Sequence, residues 1–134
     1  MADTKIVKEW LDKDDEDFNF AQANLKDESN FYAQICFHFH QSAEKYPKAF
    51  IVAYELKFEK IHNLINLLKI CATKEPSILS ILDNCIFLNT SYIDTRYPVH
   101  WLTNYTKEKA LESKKSTQEI AEMIKGLLKE EGYV

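Results

Sequence analysis

Residues 31–56 read FYAQICFHFHQSAEKYPKAFIVAYEL. Within this stretch Tyr32, Ile35, Cys36, Phe39, Ser42, Ala43, Tyr46, Ala49, Phe50 and Ala53 recur at three- and four-residue steps. That spacing places them on one face of a long helix running from about Phe31 to Leu56. Ser42, Ala43 and Ala49 alternate with aromatic rings, a pattern that lets another helix approach closely. Pro47 has no N–H to give the carbonyl of Ala43, so it predicts a kink, or two shorter helices broken near Tyr46.

The same period appears on either side. Between Thr4 and Leu25, Ile6, Trp10, Phe18, Ala21 and Leu25 mark an apolar face, with Asp3 or Thr4 as the cap. The run Asp12-Lys13-Asp14-Asp15-Glu16-Asp17 lies inside this helix and reads mostly as a solvated acidic face. Asp14 and Asp17 fall beside the Trp10–Phe18 stripe, so one of them is expected to be partly buried and paired with a cation. Ser29 or Asn30 caps the second helix. Beyond it, His62–Thr73 carries Leu64, Leu67, Leu68 and Cys71 on one face. Pro76 suits the first turn of a helix from Pro76 to about Leu88 with Ile78, Ile81, Leu82 and Cys85 inward. Asn89–Asn104, rich in aromatics and threonine and holding Pro98, reads as a loop. A last helix, Tyr105–Glu131, buries Ala110, Thr117, Ile120, Ala121, Ile124, Leu127 and Leu128, and Gly132 ends it. No stretch alternates as a strand would. The prediction is an all-α fold: an antiparallel (up-and-down) bundle of four or five helices, in one domain spanning 1–134.

Composition agrees. The chain has 134 residues, 46% of them apolar and 28% charged, with two glycines and three prolines. That is enough apolar surface for a core without disulfides, and too few turn formers for a sandwich. The net charge of −4 leaves no broad positive field, so any anion site must be a local basic patch. No apolar run nears the ~20 residues that span a bilayer. Met1–Lys8 is polar and has no signal-peptide core. Cys36, Cys71 and Cys85 sit among apolar residues at no metal-ligand spacing. They read as reduced core thiols of a cytoplasmic protein.

Two places could carry chemistry. On the second helix His38, Gln41, Lys45 and Lys48 fall within an arc of about 80°, at the edge of the apolar stripe. An imidazole, an amide and two ammonium groups in a row suit a phosphate or an acidic partner. A solvated flank with snorkelling lysines has the same pattern. The segment Tyr92-Ile93-Asp94-Thr95-Arg96-Tyr97-Pro98-Val99-His100-Trp101 is the densest candidate. It offers a guanidinium to clamp a phosphate and rings to stack a base. An aromatic loop packed over the bundle, with Arg96 paired to an acid, fits the same residues. His38 and His40 face different sides of a helix and cannot share a metal, and no carboxylate or cysteine stands at ligand spacing. No metal or cofactor is expected.

Three stretches together resemble the HEPN domain family. Trp10-Leu11 through Asp15-Glu16-Asp17-Phe18 resembles its opening helix. Phe37-His38-Phe39-His40-Gln41-Ser42-Ala43-Glu44-Lys45, followed by Lys48-Ala49, is similar to its signature second helix. Tyr92-Ile93-Asp94-Thr95-Arg96-Tyr97-Pro98 resembles its Tyr-x-x-Thr-Arg-Tyr-Pro segment, and His62-Asn63-Leu64 its His-Asp-Leu turn. Asp14 stands where the family usually has alanine. The resemblance implies a helical bundle, often a homodimer, that binds nucleotides or RNA. It also implies a small nucleotidyltransferase as partner in a toxin–antitoxin-like pair. The site it suggests joins Arg96 as phosphate clamp, Tyr97 as stacking ring, and His38, Lys45 and Lys48 as support. Ribonucleases of the family place four to six residues between an arginine and a histidine. Here Arg96 and His100 have three between them, one of them Pro98. The reading therefore favours a binding module, with a metal-independent endoribonuclease using Arg96 and His100 as the alternative and a pure interaction module as a third.

Overall fold

The computed structural model describes residues 3–25, 31–57, 63–96 and 105–133, with the backbone alone for 90–96. Ser29, Asn30, His62, Tyr97 and His100, singled out above, lie outside the described residues. Among the described residues there are five α-helices, a single 3-10 segment and no strand. They are α1 (Thr4–Asn24), α2 (Tyr32–Ala53), α3 (Leu64–Ala72), the 3-10 segment Pro76–Ile81, α4 (Leu82–Arg96) and α5 (Lys107–Glu130).

Helix α2 is the hub and packs on each of the other α-helices. The face read from its period is the buried one: Cys36, Phe39, Ser42, Ala43, Ala49 and Ala53 are fully enclosed. Pro47 does not split it, because Tyr32–Ala53 is one helix. The proline is buried, and its carbonyl accepts the Cys71 thiol of α3 at 3.5 Å. Helix α2 ends in a left-handed residue, Glu55 (φ 53°), which lets Leu56 N–H reach back to the Ile51 carbonyl at 2.9 Å. Helix α5 ends the same way through Gly132 (φ 83°), with Tyr133 N–H on the Leu128 carbonyl at 2.9 Å.

Pairings between helices set their directions. Asp14 meets Ser42 while Phe18 meets Phe39, so α1 and α2 are antiparallel. Cys36 meets Ser113 and Phe39 meets Thr117, so α2 and α5 run parallel. Ser80 meets Met123 while Asn84 meets Glu119, which makes α4 antiparallel to α5. The long helices therefore alternate in direction along the chain, as an up-and-down bundle requires.

Two boundaries differ from the sequence reading. Ala21 and Leu25 of the predicted α1 face are buried as read, and Trp10 and Phe18 pack partly buried on the core, but in the first half of the helix the buried positions are Val7, Leu11 and Asp14 rather than Ile6, which is 47% exposed. Steps of 4, 3, 7 and 4 make a regular helical face, but an aspartate occupies one of its core positions and hides the repeat. The second difference is the predicted loop from Asn89, where α4 instead continues to Arg96. Threonine, tyrosine and asparagine cost a helix only tenths of a kcal/mol each. Arg96 thus stands on helical backbone rather than in a loop.

Candidate functional site

The polar edge of α2 lies against its neighbours and does not form one row. Lys45 forms an ion pair with Asp17 of α1. Lys48 turns along its own helix to Glu44, at 2.6 Å. His38 sets its ring edge against Phe20 of α1, with centroids 4.8 Å apart. Lys45 lines a cleft with Ile6, Glu9, Trp10 and Lys13, whereas His38 lines a separate one with Phe20, Phe31 and Ile35. The stripe read from the sequence is present, but its three charged or ring groups open onto different surroundings.

A second polar line on α2, one turn apart at each step, runs from buried His40 and Glu44 to half-buried Lys48. His40 Nδ1 lies 3.9 Å from Glu44 Oε2, and both side chains are enclosed. Spacing at i, i+4 and i+8 is the signal the sequence carries for it. The solvated-looking Glu-Lys pair masks that signal, because a buried carboxylate can be told from an exposed one only by what packs over it.

The acidic run of α1 divides by direction. Asp17 takes Lys45. Asp15 takes Lys125 of α5 at 2.7 and 3.0 Å and accepts the Tyr46 hydroxyl at 2.5 Å. A cleft of 320 Å³ opens there, lined by Asp15, Phe18, Tyr46, Gln118 and Lys125 among others. Burial, then the hydrogen bond to Asp15, hold the Tyr46 phenol well above its usual range. Asp14 points inward, fully enclosed, and neither carboxyl oxygen has a hydrogen-bond partner among the described residues. Burial pushes it up to about 8, against the pull of Lys45 and Lys125. It is therefore a neutral acid at pH 7. The expectation that one of Asp14 and Asp17 would be partly buried and paired with a cation is met by Asp17. The more deeply buried residue is the one left without a cation.

Arg96 is the last residue of α4. Tyr97, His100 and His62 fall outside the described residues, as does the segment that would carry the stacking ring. Cys36, Cys71 and Cys85 are buried free thiols, and burial raises all three, Cys71 and Cys85 to about 12. Nucleophilic thiol chemistry is thereby disfavoured. Among the described residues no group of three His, Cys, Asp or Glu could hold a metal. No helix among them is long and apolar enough to cross a membrane.

The sequence profile of the HEPN domain matches residues 7–127. The chain belongs to the HEPN family. A protein of Methanocaldococcus jannaschii named "Putative toxin MJ1304" is 28% identical over 139 residues, covering 94% of this chain and 90% of that one. The fold is similar to the crystal structure of TT1696 from Thermus thermophilus, with TM-score 0.73, 24% identity, and 90% and 96% of the two chains covered. It is equally similar to ST0689, an archaeal HEPN homologue: TM-score 0.72, 26% identity, and 91% and 97% covered.

Proposed function

We propose that this HEPN chain is the toxin-like member of a toxin–antitoxin pair, a homodimer that binds a nucleotide or an RNA phosphate and partners a small nucleotidyltransferase. The observation that carries the reading is the alignment along nearly the whole of both chains with a relative named as a toxin. The residues proposed are Arg96, Tyr97, His38, Lys45 and Lys48, of which His38 and Lys45 line separate clefts and would contact different parts of the ligand. Arg96 lies on helical backbone in α4, and arginine is the residue type whose guanidinium can bind a phosphate through two parallel hydrogen bonds. Lys45 and Lys48 are each tied to one carboxylate, and an arriving phosphate would compete with Asp17 and Glu44 for them. The chain is taken to act as one domain.

A growth assay tests this. Expression of the chain alone in a bacterial host should slow growth, Arg96→Ala should relieve it, and co-expression with the product of the adjacent reading frame, which this reading expects to be a nucleotidyltransferase, should restore growth. Normal growth with the wild type alone would contradict the toxin reading. Shortening of labelled RNA by the pure protein would replace the binding module with the endoribonuclease that uses Arg96 and His100.

A further inference from the structure

Helix α1 packs on α2, more lightly on α5, and on no other described element. The rest of the bundle is joined without it: α3, α4 and α5 each pack on α2, and α4 packs on both α3 and α5. The seam between α1 and α2 is apolar toward its ends. Val7 and Leu11 are buried toward one end, Ala21 and Leu25 toward the other. Asp14 lies between them. It is fully enclosed, neither carboxyl oxygen has a hydrogen-bond partner among the described residues, and its backbone carbonyl accepts the Ser42 hydroxyl of α2 at 2.9 Å. Five ionisable groups face it: Asp15 and Asp17 on α1, Lys45 and Tyr46 on α2, and Lys125 on α5. Both lysines are already engaged, Lys45 by Asp17 and Lys125 by Asp15, which also accepts the Tyr46 hydroxyl. Three carboxyls thus meet two cations, and the enclosed one is left over.

We propose that α1 is a proton-latched helix: it docks on α2 with Asp14 as the neutral acid, and detaches from an otherwise intact bundle as Asp14 gives its proton to water. A carboxylate with neither a cation nor a hydrogen bond is costly inside a core, so the docked helix requires the acid form. Once in water, the same carboxyl gives up its proton above about pH 4. Opening and ionisation are then one equilibrium. Between 3.8, the ordinary value, and about 8 in the docked helix, the open fraction should rise about tenfold per pH unit, and it should level off above. Opening also frees Lys45 and Lys125, because their carboxylate partners both leave with α1. The inference needs neither the toxin reading nor a ligand.

Native-state hydrogen exchange of the whole protein tests this, read by mass spectrometry on peptides from the middle of α1 and of α5 at pH 5, 6 and 7. Each rate is divided by the intrinsic rate at that pH, which leaves the protection of the helix. Helix α1 should be less protected than α5 at every pH, and its protection should fall about 100-fold from pH 5 to pH 7. Its exchange should also respond to low urea more weakly than that of α5, because a local opening exposes less surface than global unfolding. In Asp14→Asn the α1 protection should not change with pH. Three results would each overturn the proposal. One protection and one urea response shared by α1 and α5 would mean that α1 leaves only when the whole molecule unfolds. Wild-type α1 protection that is constant from pH 5 to pH 7 would mean that docking does not depend on the Asp14 proton. An unchanged slope in Asp14→Asn would place the proton on another group. The first two need the wild type alone, so a variant that failed to fold would leave the test standing.

Discussion

Replacing Asp14 by asparagine should stabilise the protein at neutral pH, and the gain should grow as pH rises. The carboxyl goes from an ordinary value of 3.8 in the unfolded chain to about 8 in the fold. Below 3.8 both states carry the proton and the group contributes nothing. Between 3.8 and 8 the folded state keeps a proton that the unfolded state has released, so stability falls by about 1.4 kcal/mol per pH unit. By pH 7 the accumulated loss is about 4 kcal/mol. Asparagine has nearly the same shape, does not titrate, and bears much the same cost of burial without partners as the protonated acid. The variant should therefore match the wild type near pH 4 and be more stable by up to about 4 kcal/mol at pH 7. Urea unfolding of both proteins at pH 5, 6, 7 and 8 measures this. Taking the difference between the two cancels the titration of groups they share, including Asp15, Asp17, Lys45 and Lys125, which surround the site. A difference that stays flat across the series to within about 0.5 kcal/mol would refute the idea that Asp14 is held neutral by the core.

Other consequences are simpler to read. Lys48→Met removes the cation that Glu44 holds in a buried setting, and should cost about 3 kcal/mol in denaturant unfolding. Glu55→Gly places the residue with no side-chain clash in a left-handed position and should stabilise by about 0.5–1 kcal/mol, read as a rise in melting temperature. The three thiols should resist alkylation by iodoacetamide at pH 8 in the native protein and all react once it is unfolded, counted by mass spectrometry.

How much of this can be read from the chain follows from what periodicity can and cannot encode. The α2 face and the α3 face, Leu64, Leu67, Leu68 and Cys71, are legible because apolar residues at helical spacing bury themselves. The first half of the α1 face reads one residue out of place, Ile6 and Trp10 for Val7 and Leu11, because Asp14, a residue type that rarely enters a core, sits in one, whereas Ala21 and Leu25 read correctly. The continuation of α4 from Asn89 to Arg96 is hidden by its polar and aromatic composition. The site is legible only as a list of residue types. Which carboxylate each lysine takes, Asp17 for Lys45 and Glu44 for Lys48, depends on how α1 packs on α2. No local pattern states that packing. His40 escapes a sequence reading for the same reason: its burial is a property of the bundle rather than of the residues beside it.

The most direct test of the functional account is a titration of labelled short RNA and of nucleoside monophosphates with the wild type and with Arg96→Ala, followed by anisotropy and calorimetry. The account predicts saturable binding by the wild type and a loss of at least about tenfold in the variant, the usual cost of removing a charged phosphate contact. Equal binding by the two proteins would take Arg96 out of the site, and binding by neither would leave a helical bundle with no phosphate function.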